Sequence, residues 1–478
     1  MKPFVCTIAL FAGLLLFGCG GAETTVVIIS TNDIHSSITN FPSLATLVKD
    51  TRMEYPGRVV LVDAGDRWTG NPYVDRAPVK YSPIVELMNA LDYDVATFGN
   101  HEWDSGEGIL AERMAEAEFT NLMANIDPES IGIPGVVPYR IIERGGLKMA
   151  FLGLVGIEQS GYPLGFTANF NRAVFRDPFV TADNYKSLRD SCGLYAAVTH
   201  MGVEPDTRLA ERHPELDLII GGHSHTKLDT GLPVNGVLVT QTERNLVYAG
   251  VTTVVHRKGK VVSVANRLVR LDTVARDPEF AAMTDRYFNE PELRKKVGEA
   301  DRTLDKIALV NLFSDMMRQS AKADFAFTNM GGMRLDSLAG GDIARADIFM
   351  AEPFDNKLVV VDMTEPEIIE FIMNKFNGVG DEKDKEKRQL DLYPSGLKYT
   401  ITTGSDGNAT AVKLDHNFYP ERGKTYRVAM SDYVNEQYYF KRRDEGVRIG
   451  GTIAEHMFAY LSRHPQVKAD DRNRVTIE

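Results

Sequence analysis

Five short polar motifs in this chain each follow an apolar run rich in β-branched residues. The runs are VVIIS, VVLV, DVATF, YAAV and LDLII, and the polar residues after them are, in order, Asp33 and His35, Asp66, Asn100 with His101 and Asp104, His200, and His223 with His225. Such runs are typical of parallel strands that are buried on both faces. Because the carboxyl ends of parallel strands meet at one edge of a sheet, we expect these side chains to converge there.

The converging residue types indicate a metal site. The predicted ligands are Asp33, His35, Asp66, Asn100, His200, His223 and His225. These oxygen and nitrogen donors suffice for two divalent ions, and mixed His, Asp and Asn ligands suit Zn, Mn, Co or Fe. Sites with two metal ions hydrolyse phosphate esters by clamping the attacking and leaving oxygens. The pattern therefore predicts a phosphohydrolase.

Two of the motifs also indicate particular roles. Gly65 permits a tight turn that lifts Asp66 above the sheet, and a carboxylate with two oxygens can bridge two cations. His101 follows a predicted metal ligand directly, so it lies beside an ion and can act on the leaving group instead of binding metal. Asp104 can hold that imidazole in one tautomer and stabilise its cation.

The order of predicted elements indicates an α/β protein with two domains. Strands alternate with helices over residues 24–272, which predicts a sheet with helices packed on its faces. A charged stretch over residues 273–297 contains Pro278 near its start and predicts a helical linker. Residues 298–478 form a smaller α+β domain in this interpretation, with a helix at Ala308–Gln319 and strands at Phe325–Thr328 and Leu358–Met363.

The N-terminus resembles an export signal. Residues 1–18 combine a lysine with a short apolar segment that is too short for a comfortable membrane span. They end in LFGC, which resembles a bacterial lipobox with Cys19 as the lipidated residue. The alternative is an ordinary signal peptide cut near Gly21 or Ala22. In the lipobox interpretation the protein is exported and anchored to a membrane by lipid, in the periplasm or at the cell surface.

Charge limits the class of substrate. The net charge is −12 and the isoelectric point is near 5.4. Long nucleic acids bind mainly through neutralisation of their phosphates, so an acidic protein is a poor match for a nucleic acid polymer. A small phosphorylated substrate remains compatible, because metal ions and one or two arginines can neutralise its charge locally.

The motifs together resemble those of known families. The series D-x-H, GD, GNHE, H and GHSH resembles the calcineurin-like metallophosphoesterase superfamily, and Thr328–Arg334 (TNMGGMR) resembles the N-x-G-G-[IL]-R motif of the 5′-nucleotidase family. The resemblance covers nearly all of the chain after the signal. It implies a metallophosphoesterase α/β sandwich domain that binds two metal ions, a helical linker, and a C-terminal domain that binds the nucleoside.

The resemblance also implies roles for individual residues. One ion would be held by Asp33, His35, Asp66 and His225, and the other by Asp66, Asn100, His200 and His223. His101 and Asp104 resemble the catalytic dyad of the family. The residues predicted to contact the substrate are Asn329, Gly331, Gly332 and Arg334, of which Arg334 would grip the phosphate with its planar guanidinium.

This chain departs from the family pattern in places. Ser36 replaces the usual glycine after His35. The family's G-G-D-G-[YF] loop, whose aromatic residue stacks on the base, corresponds to a stretch without glycines that ends in Tyr438, Tyr439 and Phe440. These aromatic residues either stack on a base instead or belong to the core.

We therefore expect release of phosphate from 5′-nucleotides by a metal-activated hydroxide. The alternatives on the same scaffold are a cyclic-nucleotide phosphodiesterase, a nucleotide-sugar hydrolase and a sugar phosphatase. A more remote alternative is an inactive surface binding protein, which the complete set of ligands argues against.

Overall fold

The computed structural model of this protein describes residues 22–379, 390–415, 425–441 and 443–478. The predicted signal segment, Cys19 and most of the charged stretch Gly378–Arg388 lie outside these residues. Within the described ranges, no helix has the length and apolar character needed to cross a membrane.

Two packed sheets form the N-terminal part of the chain. Their strands are β1 (Thr24–Thr31), β2 (Val59–Asp63), β3 (Val95–Thr97), β4 (Thr120–Leu122), β5 (Val136–Val137), β6 (Tyr139–Arg144), β7 (Leu147–Val155), β8 (Leu194–His200), β9 (Leu218–Ile220), β10 (Leu232–Val234), β11 (Val237–Thr240), β12 (Tyr248–Arg257) and β13 (Lys260–Arg270). One sheet has the order β13-β12-β1-β2-β3-β4-β5, and the other has the order β10-β11-β9-β8-β7-β6. The strands predicted from the apolar runs are thus confirmed.

Helices cover the outer faces of both sheets. The helices of this part are α1 (Phe41–Glu54), α2 (Pro72–Asp75), α3 (Ser82–Ala90), α4 (Gly106–Glu116), α5 (Pro178–Asp183), α6 (Val203–Arg212) and α7 (Pro278–Tyr287). Val26 and Ile28 belong to the core shared with Phe151 of the second sheet. Val27 and Ile29 face the other way and belong to the core that includes Phe41 and Leu44 of α1. Burial on both faces explains the unbroken apolar runs, and the predicted α/β sandwich is confirmed.

The segment between the two parts is helical over only part of its length. Helix α7 ends at Tyr287, and Lys296–Ala300 is a strand. Asp277 caps α7 by accepting hydrogen bonds from the backbone N–H groups of Glu279 and Phe280. Pro291 disfavours helical geometry in the residue before it, so the helix could not continue as the predicted linker requires. The helical prediction for residues 288–297 therefore differs from the structure, and the exact domain boundaries stay a prediction.

The C-terminal part is an α+β unit built on a mixed sheet. Its strands are β14 (Lys296–Ala300), β15 (Leu304–Asp305), β16 (Phe325–Asn329), β17 (Ser337–Leu338), β18 (Gly341–Ala344), β19 (Lys357–Met363), β20 (Leu392–Ser395), β21 (Lys398–Thr403), β22 (Ala409–Asp415), β23 (Tyr426–Ser431), β24 (Val447–Thr452), β25 (Gln466–Val467) and β26 (Val475–Ile477). Its helices are α8 (Lys306–Ala321), α9 (Arg345–Ala351), α10 (Glu365–Phe376), α11 (Asp432–Gln437) and α12 (Ile453–Arg463). The main sheet has the order β20-β16-β23-β19-β24. Strand β16 ends at Asn329, which is the second residue of the TNMGGMR motif.

Candidate active site

The predicted metal ligands follow strands whose carboxyl ends share one edge of the sandwich. Strands β1, β2 and β3 pair in parallel in one sheet, and β7, β8 and β9 pair in parallel in the other. The loops after β1 and β2 are joined by backbone hydrogen bonds, from Asp33 N–H to the Gly65 carbonyl at 2.9 Å and from His35 N–H to the Asp66 carbonyl at 3.0 Å. The convergence expected from the sequence therefore occurs at these loops.

The backbone at the ligand positions is strained. The φ angles are 49° at Asp33, 48° at His35, 56° at Asp66, 80° at His223 and 52° at His225. Residues with a side chain rarely adopt the left-handed region, and each such residue costs on the order of 1 kcal/mol unless its surroundings enforce it. Such strain concentrates at functional sites, which matches the predicted role of these residues.

Ser36 also adopts the left-handed conformation, with φ of 57°. Its hydroxyl donates a hydrogen bond of 2.5 Å to Oδ1 of Asp75. Asp75 also accepts hydrogen bonds from the N–H groups of Thr69 and Gly70 at 3.2 and 2.7 Å. Ser36, which replaces the family glycine, therefore keeps the turn, and its hydroxyl adds a hydrogen bond to Asp75.

One group of ligand atoms comprises Asp33, His35 and His225, whose donor atoms lie within 4.8 Å of one another. Nε2 of His35 lies 3.0 Å from Nε2 of His225. Oδ1 of Asp33 lies 3.3 Å from Nε2 of His225 and 3.8 Å from Nε2 of His35. Two imidazole nitrogens and a carboxylate oxygen aimed at one point form a suitable donor set for a divalent ion.

A second group comprises Asp66, His200 and His223, also within 4.8 Å. Nε2 of His200 is 3.0 Å from Oδ2 of Asp66, yet this buried nitrogen has no aligned hydrogen-bond partner. Oδ1 of Asn100 lies 3.0 Å from Nδ1 of His223, which places the predicted amide ligand beside this group. A buried imidazole nitrogen and a buried carboxylate oxygen this close together are ligand types that suit one divalent ion.

Backbone carbonyls orient two of the imidazoles. Nδ1 of His35 lies 3.1 Å from the Thr69 carbonyl, and Nδ1 of His200 lies 2.7 Å from the Ala64 carbonyl. A nitrogen that faces a carbonyl carries a proton, so in the neutral ring the Nε2 has the lone pair that can bind a metal ion. This arrangement is typical of metal-binding histidines.

The electrostatics of the cluster favour positive charge. Burial alone would raise the pKa of Asp33, but the charge of His200 and the hydrogen bond with His225 outweigh it and lower the pKa to about 2. Burial opposes ionisation of Asp66 as well, and His200 and His101 bring the pKa of Asp66 well below its ordinary value. Two ionised carboxylates in a buried pocket attract cations, so the residues present fit divalent metal ions.

Glycines allow the loops to approach closely. A Cβ atom on Gly99 would lie 2.1 Å from Oδ1 of Asp66. A Cβ atom on Gly222 would lie 2.7 Å from Nδ1 of His200 and 3.1 Å from Oδ2 of Asp33. The glycines of the GNHE and GGHSH motifs therefore leave space that the ligand side chains occupy.

His101 lies at the edge of the metal-binding cluster. Its Nδ1 is 2.7 Å from Oδ2 of Asp104, and its Nε2 is 3.9 Å from Oδ2 of Asp66. Burial lowers the pKa of the imidazole, but the charges of Asp104 and Asp66 outweigh this effect, so the pKa is raised overall. The predicted pair of His101 and Asp104 is thus assembled, with the imidazole placed to hold a proton.

Sequence reasoning missed Glu102, the residue after His101. Glu102 is buried, and its carboxylate accepts hydrogen bonds from the N–H groups of Gly99, of Asp66 at 3.0 Å and of Arg67 at 2.7 Å. It therefore joins the loop after β2 to the loop after β3. The only signal in the sequence is a carboxylate within the GNHE motif, and its partners are backbone groups that no residue pattern identifies.

The TNMGGMR loop reaches this site from the second domain. Nη2 of Arg334 lies 2.8 Å from Nε2 of His101. The ring of Phe354 stacks on His101 at 5.7 Å and 24°, and the Arg334 guanidinium lies 5.2 Å from the centre of the same ring. A Cβ atom on Gly332 would lie 2.6 Å from Oδ1 of Asn329, so this glycine packs against the asparagine side chain. Phe354 was not predicted as a site residue.

A cavity of about 530 Å³ lies between the two domains. Its lining includes His101, Asn329, Gly331, Gly332, Arg334 and Phe354. Of the aromatic residues considered for base stacking, Tyr438 and Phe440 are buried in the core of the second domain. Tyr438 and Tyr439 both line the cavity, and Tyr439 is 61% exposed. The predicted substrate-contacting residues are thus brought together, with Tyr439 as the accessible aromatic side chain of the three.

Comparisons with known proteins agree with this geometry. The calcineurin-like phosphoesterase profile matches residues 26–227, and the profile of the 5′-nucleotidase C-terminal domain matches residues 287–438. The trifunctional nucleotide phosphoesterase protein YfkN of Bacillus subtilis is 28% identical over 490 residues, which cover 86% of this chain but only 32% of YfkN. The 5′-nucleotidase of Vibrio parahaemolyticus is 28% identical over 449 residues, 76% of this chain and 79% of that enzyme.

Among solved structures, the 5′-nucleotidase precursor from Thermus thermophilus has the same fold. Its TM-score is 0.80 at 23% sequence identity, and the match covers 95% of this chain and 99% of that chain. The similarity therefore extends over both domains and the segment between them.

Proposed function

Because this chain belongs to the 5′-nucleotidase family of calcineurin-like metallophosphoesterases, we propose that it releases phosphate from 5′-nucleotides outside the cytoplasm. Members of this family are metal-dependent phosphoric ester hydrolases. The observation that carries the proposal is the meeting of His101 and Arg334 at 2.8 Å beside the metal-binding cluster. A phosphate group at this place would contact the metal-binding loops and the second domain together.

We assign the ligands to two ions. Asp33, His35, Asp66 and His225 would hold one ion, and Asp66, Asn100, His200 and His223 would hold the other. The bound ions would lower the pKa of a water molecule and neutralise charge on the phosphoryl oxygens. Support comes from the two groups of donor atoms described above, which have no residue in common. A third group, formed by His35, Asp66 and His101, places Asp66 of the second group beside His35 of the first.

His101 would supply a proton to the departing oxygen. His101 lines the cavity, and its Nδ1 lies 2.7 Å from Oδ2 of Asp104, which would stabilise the imidazolium. The charges of Asp104 and Asp66 raise the pKa of His101, which favours the protonated imidazole that a general acid requires. Arg334 would bind two phosphoryl oxygens with its planar guanidinium, and Asn329, Gly331 and Gly332 would border the substrate.

Phosphate release by the purified chain loaded with Mn²⁺ or Zn²⁺ tests this function. The panel is AMP, a 2′,3′-cyclic nucleotide, UDP-glucose and a sugar phosphate. We expect AMP to be preferred. Higher kcat/KM on UDP-glucose, the cyclic nucleotide or the sugar phosphate would assign the protein to one of the alternative hydrolases. Absence of release from all four by protein with two bound ions would indicate a binding protein.

We also propose export with lipid attachment at Cys19, supported by the apolar segment and the LFGC sequence. Cells fed radiolabelled palmitate test this proposal, because a lipoprotein incorporates the label. A Cys19→Ser variant should lose the label. A secreted, unlabelled wild-type chain would instead support an ordinary signal peptide cut near Gly21 or Ala22.

A further inference from the structure

Arg334 lies on a segment that has no regular secondary structure of its own. Residues 330–336 form a turn followed by an irregular stretch between β16 and β17. Asp391 holds the N-terminal end of this segment by accepting a hydrogen bond of 3.0 Å from Gly331 N–H. The N–H of Arg334 donates to the Ala351 carbonyl at 2.9 Å. The direction of the Arg334 side chain also depends on how the backbone is held at the carbonyls of its two neighbours, Met333 and Leu335.

Lys306 binds both of those carbonyls. Its ammonium group donates hydrogen bonds to the carbonyl of Met333 and, at 3.2 Å, to the carbonyl of Leu335. These two residues flank Arg334 directly. An ammonium group with three donors can hold two carbonyls at once, so Lys306 fixes the peptide group that joins Met333 to Arg334 and the peptide group that follows Leu335.

The position of Lys306 argues against a role in helix stability. It is the first residue of α8, directly after the capping residue Asp305. The N-terminus of a helix carries partial positive charge, so a lysine there is electrostatically unfavourable for the helix. The side chain is also half-buried, and burial lowers the pKa of the amine below its ordinary value. These costs indicate that the contacts with the Arg334 segment are the main benefit of this lysine.

The same segment is also attached to the metal-binding domain. Asp336 lies 3.5 Å from the Lys306 ammonium and accepts a hydrogen bond of 2.7 Å from Arg244. Arg244 belongs to the loop in which Asn245 N–H donates to the carbonyl of Asp33 at 2.8 Å. The contacts from Lys306 therefore continue to the loop next to a predicted metal ligand.

We propose that Lys306 is a positioning residue that holds Arg334 in place beside the metal-binding cluster. The inference rests on the proposed function, because it assumes that Arg334 binds the phosphate of the substrate. Lys306 does not line the cavity, so it acts through the backbone on either side of Arg334 and not through contact with the substrate.

Steady-state kinetics on AMP with the full, metal-loaded chain test this inference. Lys306→Met should raise KM about three- to tenfold, the effect expected when hydrogen bonds that orient a binding group are lost. The turnover number should change little, because Arg334 binds the phosphate in the substrate as well as in the transition state. Lys306→Arg should restore most of the affinity. Lys306→Gln should behave as Lys306→Met does, and it serves if the methionine variant does not fold.

A double-mutant comparison separates positioning from a general structural effect. If Lys306 acts through Arg334, then Lys306→Met combined with Arg334→Ala should raise KM no further than Arg334→Ala alone. Binding of inorganic phosphate, measured by calorimetry, should weaken in parallel. Lys296→Met is the matched control, since Lys296 forms exposed ion pairs with Asp342 and Glu299 in the same domain and should leave KM unchanged.

The outcomes distinguish the two proposals. An unchanged KM and an unchanged phosphate affinity in a folded Lys306→Met or Lys306→Gln protein would overturn the positioning role. Additive effects of the Lys306 and Arg334 substitutions would overturn it as well. A wild-type protein that releases no phosphate from any substrate would instead contradict the proposed function, whatever the Lys306 variants do.

Discussion

The guanidinium of Arg334 lies 2.8 Å from Nε2 of His101, although 233 residues separate them in sequence. Nδ1 of the same imidazole lies 2.7 Å from Asp104. The group that would protonate the leaving oxygen and the group that would bind the phosphate therefore come from different domains. Their contact depends on how the second domain packs against the first, so the proposed catalysis would depend on this packing.

Replacement of His101 should remove most of the turnover and leave the metal ions bound. A general acid contributes about 10²–10⁴-fold to the rate, and His101→Ala should lower kcat on AMP by that order. Metal content measured by mass spectrometry should stay that of the wild type. His464→Ala, at the exposed C-terminal end of α12, is the control and should keep full turnover. Unchanged turnover in His101→Ala would remove this residue from the mechanism.

Replacement of Asp66 should reduce metal occupancy. Oδ2 of Asp66 lies 3.0 Å from Nε2 of His200. Donor atoms of Asp66, His35 and His101 also lie within 4.8 Å of one another, so Asp66 lies next to ligands of both proposed ions. Asp66→Asn removes the charge that would bridge two ions and should leave fewer than two ions per chain after dialysis. Two retained ions in this variant would refute the bridging role.

A methyl group at Gly99 should disturb the same carboxylate without removing a ligand. The added Cβ would lie 2.1 Å from Oδ1 of Asp66, so the carboxylate must move. Displacing an oriented ligand typically costs about 10–100-fold in metal affinity, and we expect Gly99→Ala to fall in this range in a competition titration.

Gly108→Ala provides the matched comparison for Gly99→Ala. Gly108 lies in α4, and no atom lies within 4 Å of the position that its Cβ would take. Metal affinity should be unchanged, and the helix should gain about 0.5–1 kcal/mol because alanine favours it over glycine. Equal losses of affinity in the two alanine variants would contradict the steric explanation.

Glu352 should make the stability of the protein depend on pH. Burial, together with the charge of Asp355, raises the pKa of this carboxyl from 4.5 to about 8. The folded state therefore keeps a proton that the unfolded state releases, so the free energy of unfolding falls as the pH rises from about 4.5 to about 8. Below pH 4.5 Glu352 is protonated in both the folded and the unfolded state, so its ionisation no longer lowers the free energy of unfolding.

Glu352→Gln should remove this contribution to the pH dependence. The amide can still accept the hydrogen bond that Asn356 donates to Glu352 at 2.7 Å, and it carries no proton to lose. We expect Tm at pH 8 to rise relative to the wild type and Tm at pH 4.5 to change little. An identical fall in Tm between pH 4.5 and pH 8 in both proteins would show that Glu352 does not titrate in this range.

Residues that follow strands were predictable, and residues that act on the backbone were not. Asp33, His200 and His223 each follow an apolar run, and parallel strands bring such positions to one edge. Glu102 and Lys306 bind peptide N–H and carbonyl groups far away in sequence, and every residue offers those groups. No pattern of side chains therefore marks their partners.

The sequence by itself determined the α/β class, the alternation of strands and helices and the chemical nature of the ligand set, because periodic burial and ligand type are local properties. The tertiary structure alone decided that Tyr438 and Phe440 enter the core of the second domain and that Arg334 meets His101. These outcomes depend on which surfaces pack together over long separations. Such packing is set by the shape and charge of whole domains, which a local run of residues does not encode.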